Sequence, residues 1–285
     1  MDFRKCSING ESYGLGTTAI GLSYLKRNNL PTPLVPSPSR DALETPHVNF
    51  IDPKFEKVTE NPKHPEYKNC CDFFLSLALN HDVLPEESSG RVIYSASSPD
   101  ESALVYAAKH FGFFFKSKEQ VSERVKTGIE YATFQANPKN FIPAQGGKFV
   151  IEMRNLNNKD VRYEILEFLE FNSDRKRSSV LVRDVGGGGK LTLYCKGADN
   201  VMKKRLSKSN SADLKKKTEA HLDQYVNDGL RTLICAKTNV EQSFYTTWKK
   251  EFITAENSLT DRDAKRMAVM EKIEKVSERN TASEP

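Results

Sequence analysis

No stretch of the 285 residues approaches the ~18 consecutive apolar side chains that a membrane-spanning helix requires. The N-terminus, Met1-Asp2-Phe3-Arg4-Lys5, has no apolar signal-peptide core behind it. The chain as it stands is therefore expected to be soluble. Cysteine is scarce: Cys6, Cys70, Cys71, Cys195 and Cys235 are odd in number and form no C-x-x-C. Two of them sit in apolar, strand-like runs, so reduced thiols are expected rather than a disulfide framework or a zinc site. His47, His64, His81, His110 and His221 do not pair at H-x-x-x-H spacing, and no G-x-S-x-G elbow occurs. These absences remove the motif-marked zinc and serine hydrolases. Charge of one sign is also lacking, because 43 basic and 38 acidic side chains leave only +5. That balance suits an anionic small ligand but is too mild to argue for nucleic acid or a membrane surface.

What is present is enough chain for a sizeable core. At roughly 150 residues per domain, the length makes one large domain or two small ones. Hydrophobic content of 38% is low enough to expect some poorly ordered chain. Residues 1–14 read as a short strand and turn, with Ile8 before Asn9-Gly10. Residues 28–65 hold eight of the 13 prolines and no sustained period, and read as a long surface loop. From Glu66 on, Tyr67, Phe73, Phe74, Leu77 and Ala78 recur at helical spacing, with Pro85 past the end. Ser98-Pro99-Asp100-Glu101 is a helix start: an N-cap, a proline at the first helical position and a glutamate three residues after the cap. Ala103, Leu104, Ala107, Ala108 and Phe111 make its apolar stripe and Gly112 its stop.

Downstream, Phe149 to Ile151, Tyr163 to Leu166, Ser179 to Arg183 and Leu191 to Cys195 read as strands, the last two flanking a glycine hairpin at Gly186 to Gly189. Helices are predicted over Asp199–Leu206, over Asp213–Asn227 with Gly229 as stop, around Phe244, Tyr245, Trp248 and Phe252, and over Asp261–Val276 with Met267, Met270 and Ile273 on one side. The predicted face of the second of these carries Leu214, His221, Leu222, Tyr225 and Val226, and a strand follows at Leu230–Ala236. Strands grouped as meanders with helices between the groups predict an α+β fold, an antiparallel β-sheet flanked by helices.

Four segments carry possible chemistry. Gly186 to Gly189 with Lys190 looks superficially like a phosphate-binding loop, but Leu191 stands where the magnesium-binding hydroxyl belongs and the segment joins two strands. Lys196-Gly197-Ala198-Asp199 ends a strand and opens a helix. Either the glycine admits a ligand to the backbone while the lysine and helix start attract phosphate, or this is a tight turn with Asp199 as cap. Phe171-Asn172-Ser173-Asp174-Arg175-Lys176-Arg177 joins an aromatic ring to three cations. It fits a base-stacking, phosphate-steering loop, or a core phenylalanine beside a solvated basic turn. In Asp228-Gly229-Leu230-Arg231, the arginine stands at a helix-to-strand junction where bidentate phosphate bonds, or plain solvent exposure, are both open. Glu101 has a structural role in the helix cap.

Taken in order, Phe3 to Gly10, Ser98 to Val105, Phe171 to Arg177, Tyr194 to Asp199 and Gly229 to Leu233 resemble the nucleotide-binding (N) domain of a P-type ATPase. Ala255 to Leu259 followed by Asp261-Arg262 also fits. Within the superfamily the spellings resemble the type IV, phospholipid-transporting branch, the flippases, rather than the cation pumps. The resemblance runs from about residue 3 to residue 276. It implies that Phe171 stacks on adenine, Glu101 hydrogen-bonds near the adenine amino group, and Lys196 lines the base pocket and reaches toward the phosphates. Lys176 and Arg231 would hold the phosphate chain, Ser173 would add a weaker contact, and Gly197 and Ala198 would keep the pocket floor small. Ser178 stands where the branch usually has methionine.

The resemblance further implies ATP with Mg2+, the metal held mainly by a phosphorylation domain. The aspartate of that domain lies in Asp-Lys-Thr-Gly-Thr, a string this sequence does not contain. The expected organisation is an incoming strand over 1–14, a variable, partly disordered loop over 15–65, a nucleotide-binding core over 66–256 and a helical exit segment over 257–285. The implied parent is a larger membrane protein with this domain on the cytosolic face. Its partners would be its own phosphorylation and actuator domains, with an accessory subunit of the parent as a further candidate. Phospholipid would be met only through membrane helices, and nucleic acid is not a partner. The chain by itself is expected to bind ATP weakly without turning it over. The rival reading from another class is a non-enzymatic module that binds protein or an anionic membrane through Arg175, Lys176 and Arg177, with a vestigial nucleotide pocket.

Overall fold

The computed structural model describes residues 1–33, 45–88, 91–119, 148–153, 159–186, 188–207 and 210–275. It divides into two compact units. The first comprises Met1–Phe115, Met153–Asn158 and Lys208–Ile234, and the second Lys116–Glu152, Lys159–Ser207 and Cys235–Pro285.

The first unit opens with the expected hairpin. Strands β1 (Cys6–Ile8) and β2 (Glu11–Tyr13) pair antiparallel. Asn9 and Gly10 both take positive φ, 49° and 77°, which is the backbone a tight two-residue hairpin requires. The segment predicted as loop carries two helices, α1 (Ala19–Arg27) and α2 (Pro53–Glu60). Proline density is a poor guide at the second of these. Asp52 caps it by accepting from the amides of Lys54 (2.9 Å) and Phe55 (3.2 Å), and Pro53 occupies the first turn, where a missing N–H costs nothing. The expected loop residues 34–44 lie outside the described residues.

Helix α3 (Tyr67–Leu79), the hairpin β3–β4 (Leu84–Ser88 and Arg91–Ser95) and helix α4 (Pro99–His110) follow. The Ser98 hydroxyl caps α4 by accepting from the Asp100 amide at 3.3 Å. Val105 and Tyr106 join the buried face of α4, while Leu104 is only half-buried. Phe55, wholly buried, sits among Tyr13, Phe50, Phe74 and Phe111 with ring centroids 4.8, 5.3, 5.7 and 5.0 Å away. These edge-to-face contacts and the area they bury, about 1.5–3 kcal/mol per large apolar side chain, form this unit's core.

The second unit is built on a six-stranded antiparallel sheet of order β10-β9-β8-β7-β6-β5. The strands of that sheet are β5 (Phe113–Glu119), β6 (Lys148–Met153), β7 (Lys159–Asn172), β8 (Arg177–Asp184), β9 (Leu191–Gly197) and β10 (Ile234–Val240), of which Phe113 to Phe115, Met153 and Ile234 are counted in the first unit. The α+β expectation is met. Gly186 to Gly189 joins β8 to β9 as expected, with Gly187 outside the described residues. Helices α7 (Gln242–Glu256) and α8 (Arg262–Glu274) cover one sheet face. Leu181, Leu193, Tyr245, Trp248, Phe252, Met270 and Ile273 share that core, and the Trp248 indole donates to the Val269 carbonyl at 2.8 Å. Met267, expected on the same stripe, stays 36% exposed because the contact seam narrows to Val269, Met270 and Ile273.

Two shorter elements also differ from expectation. The Asp199–Leu206 helix is one turn, α5 (Asp199–Met202), followed by a 3-10 turn at Lys203–Arg205. Helix α6 (Ala212–Asn227) in the first unit leaves Val226 59% exposed. Gly229 ends α6 at φ 71°, its amide donating to Val226 while the Leu230 amide reaches back to Tyr225, both carbonyls of the last turn. The predicted Leu230–Ala236 strand begins only at Ile234. The five cysteines form no disulfide, and burial pushes the Cys70 and Cys195 thiols up to about 12. Among the described residues, no helix is long and apolar enough to cross a membrane.

Candidate functional site

Six of the eight residues that the sequence singles out stand together in the second unit, around the β7–β8 turn. Asn172 makes that turn: its side-chain oxygen accepts from the amides of Asp174 (2.7 Å) and Arg175 (3.2 Å), and its carbonyl from the Lys176 amide (2.7 Å). Lys176 is held in the left-handed region at φ 52°, uncommon for a residue with a side chain. Its side chain points to solvent, as do those of Ser173 and Asp174.

The neighbouring arginines go the other way. Arg175 is 5% and Arg177 3% exposed, and both pair with Glu274 in the last turn of α8. Arg177 also meets Glu271. Burial works against the Arg177 charge, but Glu274 and Glu271 outweigh it and raise the guanidinium pKa. Breaking such a buried pair by removing one partner costs about 3–5 kcal/mol. The expectation of a solvated basic triplet is therefore overturned, and with it the surface through which the rival interaction module would bind. Of Arg175, Lys176 and Arg177, only Lys176 offers its charge to solvent.

Strand register then aligns a face. Asn172 pairs with Arg177, and Arg177 with Gly197; one step along, Ser178 pairs with Lys196. The register shifts between Leu169 and Asn172, so Glu170 and Phe171 together oppose Ser178; counted back from the Asn172–Arg177 pair, Phe171 shares the Ser178 face. Side chains alternate between sheet faces, and the alternate positions Leu181 and Leu193 point into the α7–α8 core. Phe171, Ser178 and Lys196 thus form one row across three strands on the opposite face. At the row's open end the Phe171 ring is 67% exposed, while Ser178 and Lys196 are buried at 6% and 4%. A large aromatic ring held out in water at a strand end, aligned with a lysine, is not explained by packing.

Gly197 is required by a close approach. A Cβ there would stand 2.5 Å from the Arg177 Cβ and 2.6 Å from the Lys176 carbonyl oxygen. The Ala198 amide donates to that same carbonyl at 3.0 Å. Ala198, not Asp199, is the N-cap of α5, and α5 is four residues long. Charge attraction at this corner therefore rests on the lysines rather than on a helix start.

Glu101 and Arg231 lie in the first unit. Glu101 is half-buried in the first turn of α4. Arg231 stands three residues before β10 rather than at its start, 72% exposed, with a guanidinium nitrogen 3.1 Å from the carboxylate of Asp100, the residue next to Glu101. Its loop is anchored by Asp228, whose carboxylate meets the Lys5 ammonium at 2.7 Å and the Thr17 hydroxyl.

The sequence reading missed Asn172, Asp228, Glu271 and Glu274. Asn-Ser-Asp turn chemistry marks the first. Nothing in the sequence marks Glu274, which is 99 positions from Arg175. Among the described residues, no group of three or more His, Cys, Asp or Glu is placed to hold a metal ion.

A site of this make-up, with an exposed ring, two lysines, a hydroxyl and a small-residue floor, fits a purine nucleotide. Comparison with known proteins bears on the family of the chain. The sequence profile of the family described as P-type ATPase, cytoplasmic domain N, matches residues 73–275. Probable phospholipid-transporting ATPase 11 of Arabidopsis thaliana is 37% identical over 284 residues, 96% of this chain and 21% of that protein. Phospholipid-transporting ATPase IC of Homo sapiens is 33% identical over 275 residues, 96% of this chain and 19% of that protein. Its Xenopus tropicalis namesake is 33% identical over 274 residues, 96% of this chain and 18% of that protein. The chain spans about a fifth of the length of these curated relatives. The relatives are named as phospholipid-transporting ATPases, and the chain belongs to the P-type ATPases, as their cytoplasmic domain N.

Proposed function

We propose that this domain binds ATP in the second unit, with adenine stacked on Phe171. The row Phe171–Ser178–Lys196 carries the reading. Stacking on an aromatic ring is worth about 1–3 kcal/mol per base, and an exposed ring needs no rearrangement to receive one. Lys196, one strand beyond Ser178, supplies the cation at the inner end of the row. Lys176, on the left-handed turn, offers a second cation to the phosphates. Gly197 and Ala198 leave the floor free of side-chain bulk, and Ser173 adds a hydroxyl at the rim. Ser178, between ring and lysine, makes the wall polar and small. The base and phosphate contacts that the resemblance assigns to Glu101 and Arg231 are tested separately by Glu101→Gln and Arg231→Ala.

Mg2+ would arrive with the nucleotide, its protein ligands supplied mainly by a phosphorylation domain. In a parent enzyme resembling the named relatives, ATP held here would present its γ-phosphate to the aspartate of that domain. Preorganised lysines offset phosphate charge during such a transfer. The resulting cycle would move an aminophospholipid toward the cytoplasmic leaflet, with the actuator domain, membrane helices and any accessory subunit as its other participants.

Titration of the 15N-labelled chain with ATP tests the binding claim. Amide shifts concentrated at Phe171, Lys176 and Lys196, reduced in Phe171→Ala, are expected. Shifts absent at millimolar ATP would refute it. Steady ATP hydrolysis by the chain alone, lost on Lys196→Ala, would contradict the assignment of transfer chemistry to another domain.

A further inference from the structure

The turn that carries Lys176 is anchored from beneath, by a residue that never faces the nucleotide row. The Glu274 side chain is fully buried and collects three donors: a guanidinium nitrogen of Arg175, Arg177 Nε at 2.7 Å and the Ser179 hydroxyl at 2.6 Å. Each arginine also ties down backbone. Arg175 donates to the Glu170 carbonyl at 2.9 Å, immediately before Phe171, and Arg177 donates to the Arg175 carbonyl at 3.0 Å. Between them Lys176 keeps φ 52° and offers its carbonyl to the Ala198 amide. One turn earlier on α8, Glu271 takes Arg177 and also Arg205, the latter at 2.6 Å.

We infer that Glu274 is a positioning residue for nucleotide binding, acting through Arg175 and Arg177 on the Phe171–Lys176 turn and, through the Lys176 carbonyl, on Ala198. The inference rests on reading this face as the ATP site. Three observations carry it. The carboxylate accepts from both arginines and from Ser179. Both arginines hold main-chain carbonyls of the turn rather than solvent. The strained residue of the turn is the one whose carbonyl fixes the floor of the cleft. A left-handed non-glycine conformation persists only where its surroundings over-determine it, and the Glu274 clamp supplies that constraint. Helix α8 thereby becomes a lever: a change in its last turn alters how the ring and the lysine are presented.

The test compares Glu274→Gln, Glu274→Asp and Phe171→Ala in the full chain. Without nucleotide, Glu274→Gln is expected to speed hydrogen exchange of the Ala198 amide about tenfold relative to Leu181 and Leu193 in the strand centres. ATP affinity falls about tenfold, Glu274→Asp restores part of both, and the combined Glu274→Gln/Phe171→Ala loss is smaller than the product of the single losses. A lowered Tm with wild-type Ala198 exchange would make Glu274 merely structural and overturn the inference. Should Glu274→Gln not fold, Glu271→Gln, which removes one of the two carboxylates on Arg177, must still accelerate Ala198 exchange, and its failure to do so is equally decisive. Absence of ATP binding by the wild-type chain sinks the functional reading alone, because the exchange measurement needs no nucleotide.

Discussion

In the second unit, the residues around Phe171 stand on a turn whose two arginines are buried against Glu274, whereas in the first unit Arg231 stands in water, 72% exposed, paired with the partly exposed Asp100. The two cores differ as well. One is a cluster of edge-to-face rings about Phe55; the other is an aliphatic sheet covered by α7 and α8, with Glu167 and Lys249 also buried as a pair. Burial drives the Glu167 carboxyl pKa up against the pull of Lys249. The contrast teaches where shape is prepared in advance. Buried ion pairs with several donors per carboxylate fix a turn in one conformation, while an exposed pair contributes about 0–1 kcal/mol and leaves its arginine adaptable.

Truncating the cores breaks the comparison most severely. Phe55→Ala and Trp248→Ala are each expected to cost about 3–5 kcal/mol. Hydrogen exchange should rise first among the residues of the unit that carries the change, and equal loosening of both units by either change would merge them. Next is Gly197→Ala, where the added Cβ meets main chain and the root of Arg177 rather than a flexible tip. A cost of about 1–3 kcal/mol in urea-unfolding stability, together with loss of ATP binding, is expected. Phe171→Ala should weaken ATP binding by about 1–3 kcal/mol, measured calorimetrically, while leaving Tm unchanged, because an exposed ring holds nothing together.

How much of this was legible in the sequence depends on the range of the interaction. Asn9-Gly10, Ser98-Pro99 and Gly229 declare a hairpin, a helix start and a helix end because each acts within a few residues. Spelling and order single out Phe171, Lys196 and Gly197, and strand pairing gathers them at one end of β7, β8 and β9. Arg175 and Arg177 were misread as surface charge because composition says nothing of a carboxylate nearly one hundred positions away. Helix α2 was hidden because its Asp-Pro start lies in a proline-rich stretch and its eight residues bury only Phe55 and Val58. The exposure of Val226 and Met267 follows from packing partners, which periodicity alone cannot supply.

Smaller effects sharpen the electrostatic side of the contrast. Burial works to raise the Glu271 carboxyl pKa, but Arg205 and Arg177 outweigh it and hold it below the usual value. A depressed carboxylate contributes stability that is present above its unfolded pKa, about 4.3, and is lost as pH falls through the folded value. Glu271→Gln should therefore flatten the acid limb of the stability–pH curve of the second unit and change little near pH 7 in that slope. Least of all, Arg231→Ala should alter stability by no more than about 1 kcal/mol.

The central claim is that a purine rests on the Phe171 ring. The direct measurement is the intermolecular nuclear Overhauser effect between adenine H2 and H8 of bound ATP and the protein's aromatic side chains. Contacts from both base protons to the Phe171 ring, lost in Phe171→Leu, are expected. Base contacts to other residues, with the Phe171 ring resonances unmoved at saturating ATP, would contradict the account.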